Sequence, residues 1–376
     1  MPQHPPTPTW NHPLFGADPL TLLAALACNR PFSAGVRPLA GAMVVAALLR
    51  APASLCEHAW TVAGLRRLPP PRSPVFILGH WRSGTTHLFN LLSRDPAFAW
   101  PDPFAAGLPW DFRILGRLAR PLMKRALPEN RYIDDVAVDP DSPQEDEIAL
   151  ASMQNVSYYH AVYFPRRFES WYRRGVFLEG VSDRHLARWR RRFEYYHGKL
   201  LAARPGATLL VKNPVYTGRV ALIRRIWPDA RFIHIHRNPY VVFESTRKFH
   251  RALLRRFALQ GFDEDIAEQF IEVTYPRMIE NLYADVADLG SDRFVELSFD
   301  SLEDEPLAQL ERIYTSLGLP GFPEMYPEFQ AYLDSVAHYR KSGHVFTKET
   351  IDRVDRHWDG LVRRWSYSPP KDGHPR

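Results

Sequence analysis

A chain of 376 residues, 45% hydrophobic and 24% charged, is long enough to bury a sizeable core and too apolar to remain disordered. Its 48 Lys and Arg against 42 Asp and Glu leave a mildly basic balance of +6, which suits an anionic ligand or a membrane surface and matches no nucleic-acid-binding module. Two cysteines, Cys28 and Cys56, both within apolar sequence, exclude a disulfide framework and fit a reducing cytoplasm, and no Cys/His cluster has the spacing of a metal site.

Residues 1–17 are rich in proline and polar side chains and read as irregular; no basic region leads into an apolar core, so no signal peptide is expected. Residues 18–65 read as helical. Within them LTLLAALA (20–27) and LAGAMVVAALL (39–49) fall short of the roughly 20 apolar residues that cross a bilayer. They read either as buried helices or as a peripheral contact of residues 18–55 with the inner face of a membrane. The stiff PPPRSP connector (69–74) divides the chain into a helical extension, 1–70, and a main domain, 71–376.

Four short runs, Val75–Gly79, Thr208–Lys212, Arg231–His236 and Phe294–Ser298, are continuously apolar or β-rich rather than alternating, as strands covered on both faces are. Helical patterns over 86–93, 143–157, 183–204, 217–227, 241–258, 264–289 and 305–317 separate them. Strand–helix alternation predicts an α/β protein, a three-layer fold with a central parallel sheet flanked by helices. The basic run Arg188–Arg192 sits in a helical pattern and reads as a solvated face. The loop-rich, aromatic segment 96–135 is long enough to wall a substrate pocket.

The first strand leads into GHWRSGTTH (79–87), a glycine-containing turn ahead of an apolar helix. Such a turn points backbone N–H groups and a partial positive charge at an anion. Gly79 and Gly84 have the five-residue separation of a Walker A loop, but Thr85 stands where that loop carries lysine, and no later strand ends in a Walker-B aspartate. A magnesium-dependent kinase or NTPase is therefore disfavoured. Cations follow three strands instead: Arg82, Lys212 and Arg237. They would neutralise a polyanion without metal, which suits transfer of a group carrying less charge than a phosphoryl group.

GHWRSGTTHL resembles the 5′-phosphosulfate loop of sulfotransferases that use 3′-phosphoadenosine 5′-phosphosulfate (PAPS), RFIHIHRNPYVVFES their strand with Arg237 followed eight positions later by Ser245, and LLVKNP their middle element. VELSFDSLEDEPLAQLERIYTSLGL and HYRKSGH (338–344) continue the likeness, which covers about 74–345 and is nearest to a bacterial group with a PxEDExAL segment. The resemblance implies a P-loop-like fold in which Arg82, Ser83, Gly84, Thr85, Thr86 and His87 bind the donor's 5′ side. Arg237, Ser245, Arg340 and Lys341 would hold its 3′-phosphate, and Arg82 with Lys212 would steady the departing phosphate oxygen, with no metal. The histidine base of cytosolic small-molecule sulfotransferases has no counterpart, because Pro214 occupies its place; His234 and His236 lie within a strand and read as core.

A carboxylate base is then expected, as in protein-tyrosine and glycan sulfotransferases. Glu147 is the favoured candidate, beside Glu145, Asp146 and Asp102, although Ser142, Pro143 and Glu145 also read as a capping box. The aromatic segments suggest a small hydroxyl acceptor of hydrophobic, lipid-like character. The competing reading is an inactive nucleotide-binding or membrane-associated scaffold of the same fold, against which stand the intact Arg82, Lys212, Arg237 and Ser245.

Overall fold

The computed structural model describes residues 4–6, 9–65, 73–116, 118, 121, 141–337 and 346–370. Five strands form the sheet: β1 (Val75–Leu78), β2 (Phe98–Ala99), β3 (Thr208–Lys212), β4 (Arg231–His236) and β5 (Phe294–Ser298), in the order β2-β3-β1-β4-β5. β1 runs parallel to both β3 and β4, and β4 parallel to β5, with Val75 opposite Leu210 on one side and Arg231 on the other. All four residues of β1 are buried, as a central strand requires. The expected α/β, P-loop-like three-layer architecture is thus the observed one. Strand order reverses at β1, so the three strands that lead into Arg82, Lys212 and Arg237 are neighbours. Ligands of open parallel sheets bind outside the carboxyl ends of strands at such a reversal.

The chain divides into two compact units. One comprises Met1–Pro71, Ala99–Leu209 and His250–Ile266, so the N-terminal helices share a unit with the middle of the chain. The other comprises Arg72–Phe98, Leu210–Phe249 and Ala267–Arg376 and carries most of the sheet. In its core Phe76 packs against Tyr216, Trp227 and Phe232 at ring separations of 5.8–5.9 Å. Helix Lys348–Arg364, which periodicity reading did not pick out, packs against helix Glu268–Val286: Arg353 pairs with Glu268 (2.9 Å) and Glu272 (2.6 Å), and Trp358 Nε1 donates to Glu272 O (2.8 Å).

In the first unit, helices Pro19–Cys28 and Arg37–Leu65 fill the region expected to be helical. The expectation that the apolar stretch 39–49 is buried holds for one face only. Leu39, Met43 and Ala47 are buried, whereas Val45, Leu48 and Leu49 are exposed, and so are both cysteines. The capping box at 142–145 does not form. The chain stays extended to Glu145, and the helix runs from Asp146 to Met153. Gln144 N donates to Pro101 O at 2.8 Å, a tertiary bond that holds the backbone out of the helix the local pattern favours.

Three buried histidines make the fold acid-sensitive. Burial brings His12, His160 and His236 down to about 4, the first two opposed by backbone carbonyls of Phe257 and Ala151 and the third pushed further by His234. Unfolded, each titrates near 6.5. Between those values only the unfolded chain binds the protons, so stability falls as pH drops from about 6.5 towards 4, by about 1.4 kcal/mol per pH unit for each proton taken up. Thermal unfolding across pH 4–7 checks this: Tm is expected to decline steadily below pH 6.5, and a flat Tm down to pH 4.5 refutes it.

Candidate active site

The turn after β1 departs from ordinary backbone at three positions: Gly79 (φ 150°), Arg82 (φ 70°) and Gly84 (φ 98°). At Gly84 a Cβ would meet Phe299 Cδ2 at 2.1 Å, so only glycine fits. Ser83 folds the turn on itself, its hydroxyl donating to His80 O at 2.8 Å, and Thr217 Oγ1 accepts from Gly79 N at 2.8 Å. Helix Thr85–Leu92 starts directly at Gly84, whose carbonyl accepts from His87 N at 3.0 Å, and this places the positive end of the helix with Thr85, Thr86 and His87 beside the turn.

Two contacts bring the sequence-predicted residues together. Arg82 Nε donates to Ser245 Oγ at 2.8 Å, joining positions 163 residues apart, and Lys212 Nζ donates to Thr86 Oγ1 at 3.3 Å. Sequence reading paired Arg82 with Lys212 and Ser245 with Arg237; in the structure Arg82 bonds Ser245, and Lys212 bonds the first helical turn. Arg237, directly after β4, lays its guanidinium over the Phe299 ring at 4.3 Å. Burial lowers its pKa, Glu303 and Asp300 oppose that, and Arg82 lowers it further, so the two guanidinium groups repel across the site. A second anion-seeking group beside the first is what an oligo-anionic ligand would relieve. His87 lies between the rings of Phe299 (6.4 Å) and Tyr332 (6.2 Å).

His234 and His236 are core residues, as expected. His234 Nδ1 meets Glu296 Oε2 at 2.7 Å, and His236 stacks on Trp365 at 4.5 Å and meets Tyr367 OH at 3.1 Å. Arg340 and Lys341 lie outside the described residues. Among the described residues no group of three or more His, Cys, Asp or Glu is placed to hold a metal ion.

The carboxylates belong to the other unit. Glu147 is buried, and its Oε1 accepts from Ser157 Oγ (2.7 Å) and Tyr158 N (3.0 Å). Asp146, fully buried, faces His197 Nε2 at 3.1 Å. Asp102 caps the short helix Pro103–Gly107, accepting from Ala105 N at 2.7 Å.

Sequence reading missed Phe299, which fills the space at Gly84 and supports Arg237; its position just past the end of β5, among the ligand-facing strand ends, was the available signal. It also missed the bonds that fix the helix carrying Ser245. Glu244 accepts from Arg247 (3.0 Å) and from Thr350, and Thr246 Oγ1 donates to Trp81 O (3.3 Å).

A family model described as the sulfotransferase family matches residues 74–324. The chain is 32% identical over 299 residues to omega-hydroxy-beta-dihydromenaquinone-9 sulfotransferase Stf3 of Mycobacterium bovis and of Mycobacterium tuberculosis, covering 78% of this chain and 75% of theirs. Among solved structures it is similar to sulfotransferase STF9 from Mycobacterium avium (TM-score 0.69, 17% identity, 99% of this chain and 95% of that one). It is similar too to sulfotransferase STF1 from Mycobacterium tuberculosis (TM-score 0.60, 17% identity, 90% of each). With the strand-end cations gathered at the glycine turn and the family match running over more than half of its length, the chain belongs to the sulfotransferase family and is an enzyme of sulfuryl transfer.

Proposed function

We propose that the enzyme moves a sulfuryl group from PAPS to the hydroxyl of a small hydrophobic acceptor, with 71–376 as the catalytic domain and 1–70 as its helical extension. The observation that carries the donor is the Arg82–Ser245 bond beside Arg237 at the reversal of strand order. Two guanidinium groups and a hydroxyl at one end of the sheet suit a donor with phosphate at both its 5′ and 3′ ends, each arginine binding through its planar fork. Arg82, Ser83, Gly84, Thr85, Thr86 and His87 would bind the 5′ side at the helix start, and Arg82 and Lys212 would steady the charge that grows on the departing oxygen. Arg237 and Ser245 would hold the 3′-phosphate, and Arg340 and Lys341 are assigned to it by resemblance alone. For the acceptor, the support is the relatives' named substrate, an omega-hydroxylated menaquinone, together with the aromatic content of 96–135 and 158–172.

Calorimetric titration with 3′-phosphoadenosine 5′-phosphate (PAP), AMP and Mg-ATP tests the donor. PAP is expected to bind at least 100-fold more tightly than AMP, because the missing phosphate removes charge-assisted bonds of about 1.5–3 kcal/mol each. Equal affinity for AMP sinks the reading.

Glu147 is our proposed base, ahead of Glu145, Asp146 and Asp102. Its support is rigidity: the carboxylate is held by a hydroxyl and a backbone N–H, whereas Asp102 is committed to a helix cap and Asp146 to His197. Glu147→Gln keeps the oxygen that accepts both bonds. It is expected to lower kcat by about 10²–10⁴-fold with PAP affinity unchanged. Retained turnover would return the role to the other three carboxylates.

A further inference from the structure

Helix Arg37–Leu65 is inside out. Beyond Arg37, which is exposed at its first position, its polar side chains Arg50, Ser54, Glu57 and Thr61 recur every three or four residues and face the protein. Arg50 pairs with Asp111 (3.3 Å), Ser54 donates to the same carboxylate (2.8 Å), and fully buried Glu57 meets Lys199 at 2.5 Å. The opposite stripe is the exposed one, and every exposed position from Gly41 to Ala63 is apolar, cysteine, glycine or proline. Val45, Leu48, Leu49, Leu55 and Trp60 are 56%, 56%, 78%, 67% and 51% exposed, and Leu20 on the preceding helix is 80% exposed. A helix packed on a water-soluble unit normally turns its charges outward; this one directs them in and leaves a continuous apolar ridge.

The ridge has cationic flanks. Arg113 lies over the Trp60 ring at 4.0 Å. In the same unit His58, Arg188, Arg191, Arg192 and Tyr195 line a cavity of about 360 Å³, and among the described residues none of these three arginines forms an ion pair. We infer that this face is a peripheral membrane-docking surface for anionic phospholipid, with the ridge lying in the plane of the interface and the arginine cavity taking a headgroup phosphate. Apolar burial with anionic attraction is how in-plane helices hold a bilayer. A spanning orientation would carry the Arg50 and Glu57 ion pairs into hydrocarbon. A second copy of the chain would set the same arginines near their own equivalents, whereas anionic headgroups complement them.

Co-sedimentation of the full chain with vesicles of phosphatidylcholine alone or mixed with phosphatidylglycerol tests the inference. Binding is expected to the anionic vesicles, to weaken with salt, and to slow maleimide labelling of the exposed Cys56. Leu48→Glu/Leu49→Glu and Arg188→Glu/Arg191→Glu are each expected to reduce it at least tenfold, with circular dichroism unchanged because all four side chains lie at the surface. Four results would overturn it: no vesicle binding, equal binding to neutral vesicles, resistance to carbonate extraction as a spanning segment, or a lipid-free dimer that Leu48→Glu/Leu49→Glu dissociates.

Discussion

Lys212→Ala is expected to lower kcat by about 10²–10³-fold while PAP affinity stays within a few-fold of the parent, the loss typical of removing one preorganised donor at a developing charge. Lys212 closes β3, the strand beside β1, is only 5% exposed, and reaches the first turn of the helix that the glycine loop opens. An ammonium so desolvated acts on nearby charge far more strongly than one in water. Lys212→Arg is not expected to rescue turnover, since a planar fork cannot replace a compact charge at a packed strand end. Arg237→Ala should show the converse pattern: PAP affinity weakened about 10–100-fold, as for loss of one or two charge-assisted bonds, and kcat at saturating donor little changed. Single-turnover kinetics beside calorimetry separates the two. If Lys212→Ala loses binding and Arg237→Ala loses turnover, the roles are exchanged and the sulfuryl group sits at the other end of the site.

The inner strands were legible because a strand covered on both faces has to be apolar almost throughout; β3 and β4 were bounded correctly from that signal. By contrast β5, at the sheet edge with every second residue buried, was bounded correctly by its β-rich residues and not by two-sided burial. Two-residue β2 carries too little sequence to show a period. Helix Lys348–Arg364 keeps one face apolar through Ile351, Val354, Trp358, Leu361 and Val362, but its many charges mask the stripe in the sequence. The glycine turn and its cations were legible through chemistry, since few residue types make an anion cradle at a strand end. What local sequence does not carry is who meets whom. The Arg82–Ser245 bond, the Phe299 ring under Arg237, and the Gln144–Pro101 bond that displaces the capping box are all tertiary. The orientation of Arg37–Leu65 was hidden for the same reason, because an apolar run has no inside until buried partners for Arg50 and Glu57 are known.

Gly84→Ala is expected to impair stability and donor binding together. At φ 98° alanine carries the left-handed penalty of about 1–2 kcal/mol. Its methyl would also stand 2.1 Å from Phe299 Cδ2, so the buried ring must move, at an overpacking cost of about 1–3 kcal/mol. That ring is the surface on which Arg237 rests at 4.3 Å, so its displacement reaches the phosphate clamp without touching an arginine. A lower Tm and at least tenfold weaker PAP binding follow. Steric coupling through Phe299 has its own signature in a double-mutant cycle with Phe299→Leu. If the clash is the cause, the double variant is little worse than Phe299→Leu alone, because the smaller side chain has already vacated the space. If the two losses simply add, the strain resides in the turn backbone, and the route from Gly84 through Phe299 to Arg237 is not the one that matters. Native PAP affinity in Gly84→Ala would remove the route altogether and leave the glycine as a requirement of folding.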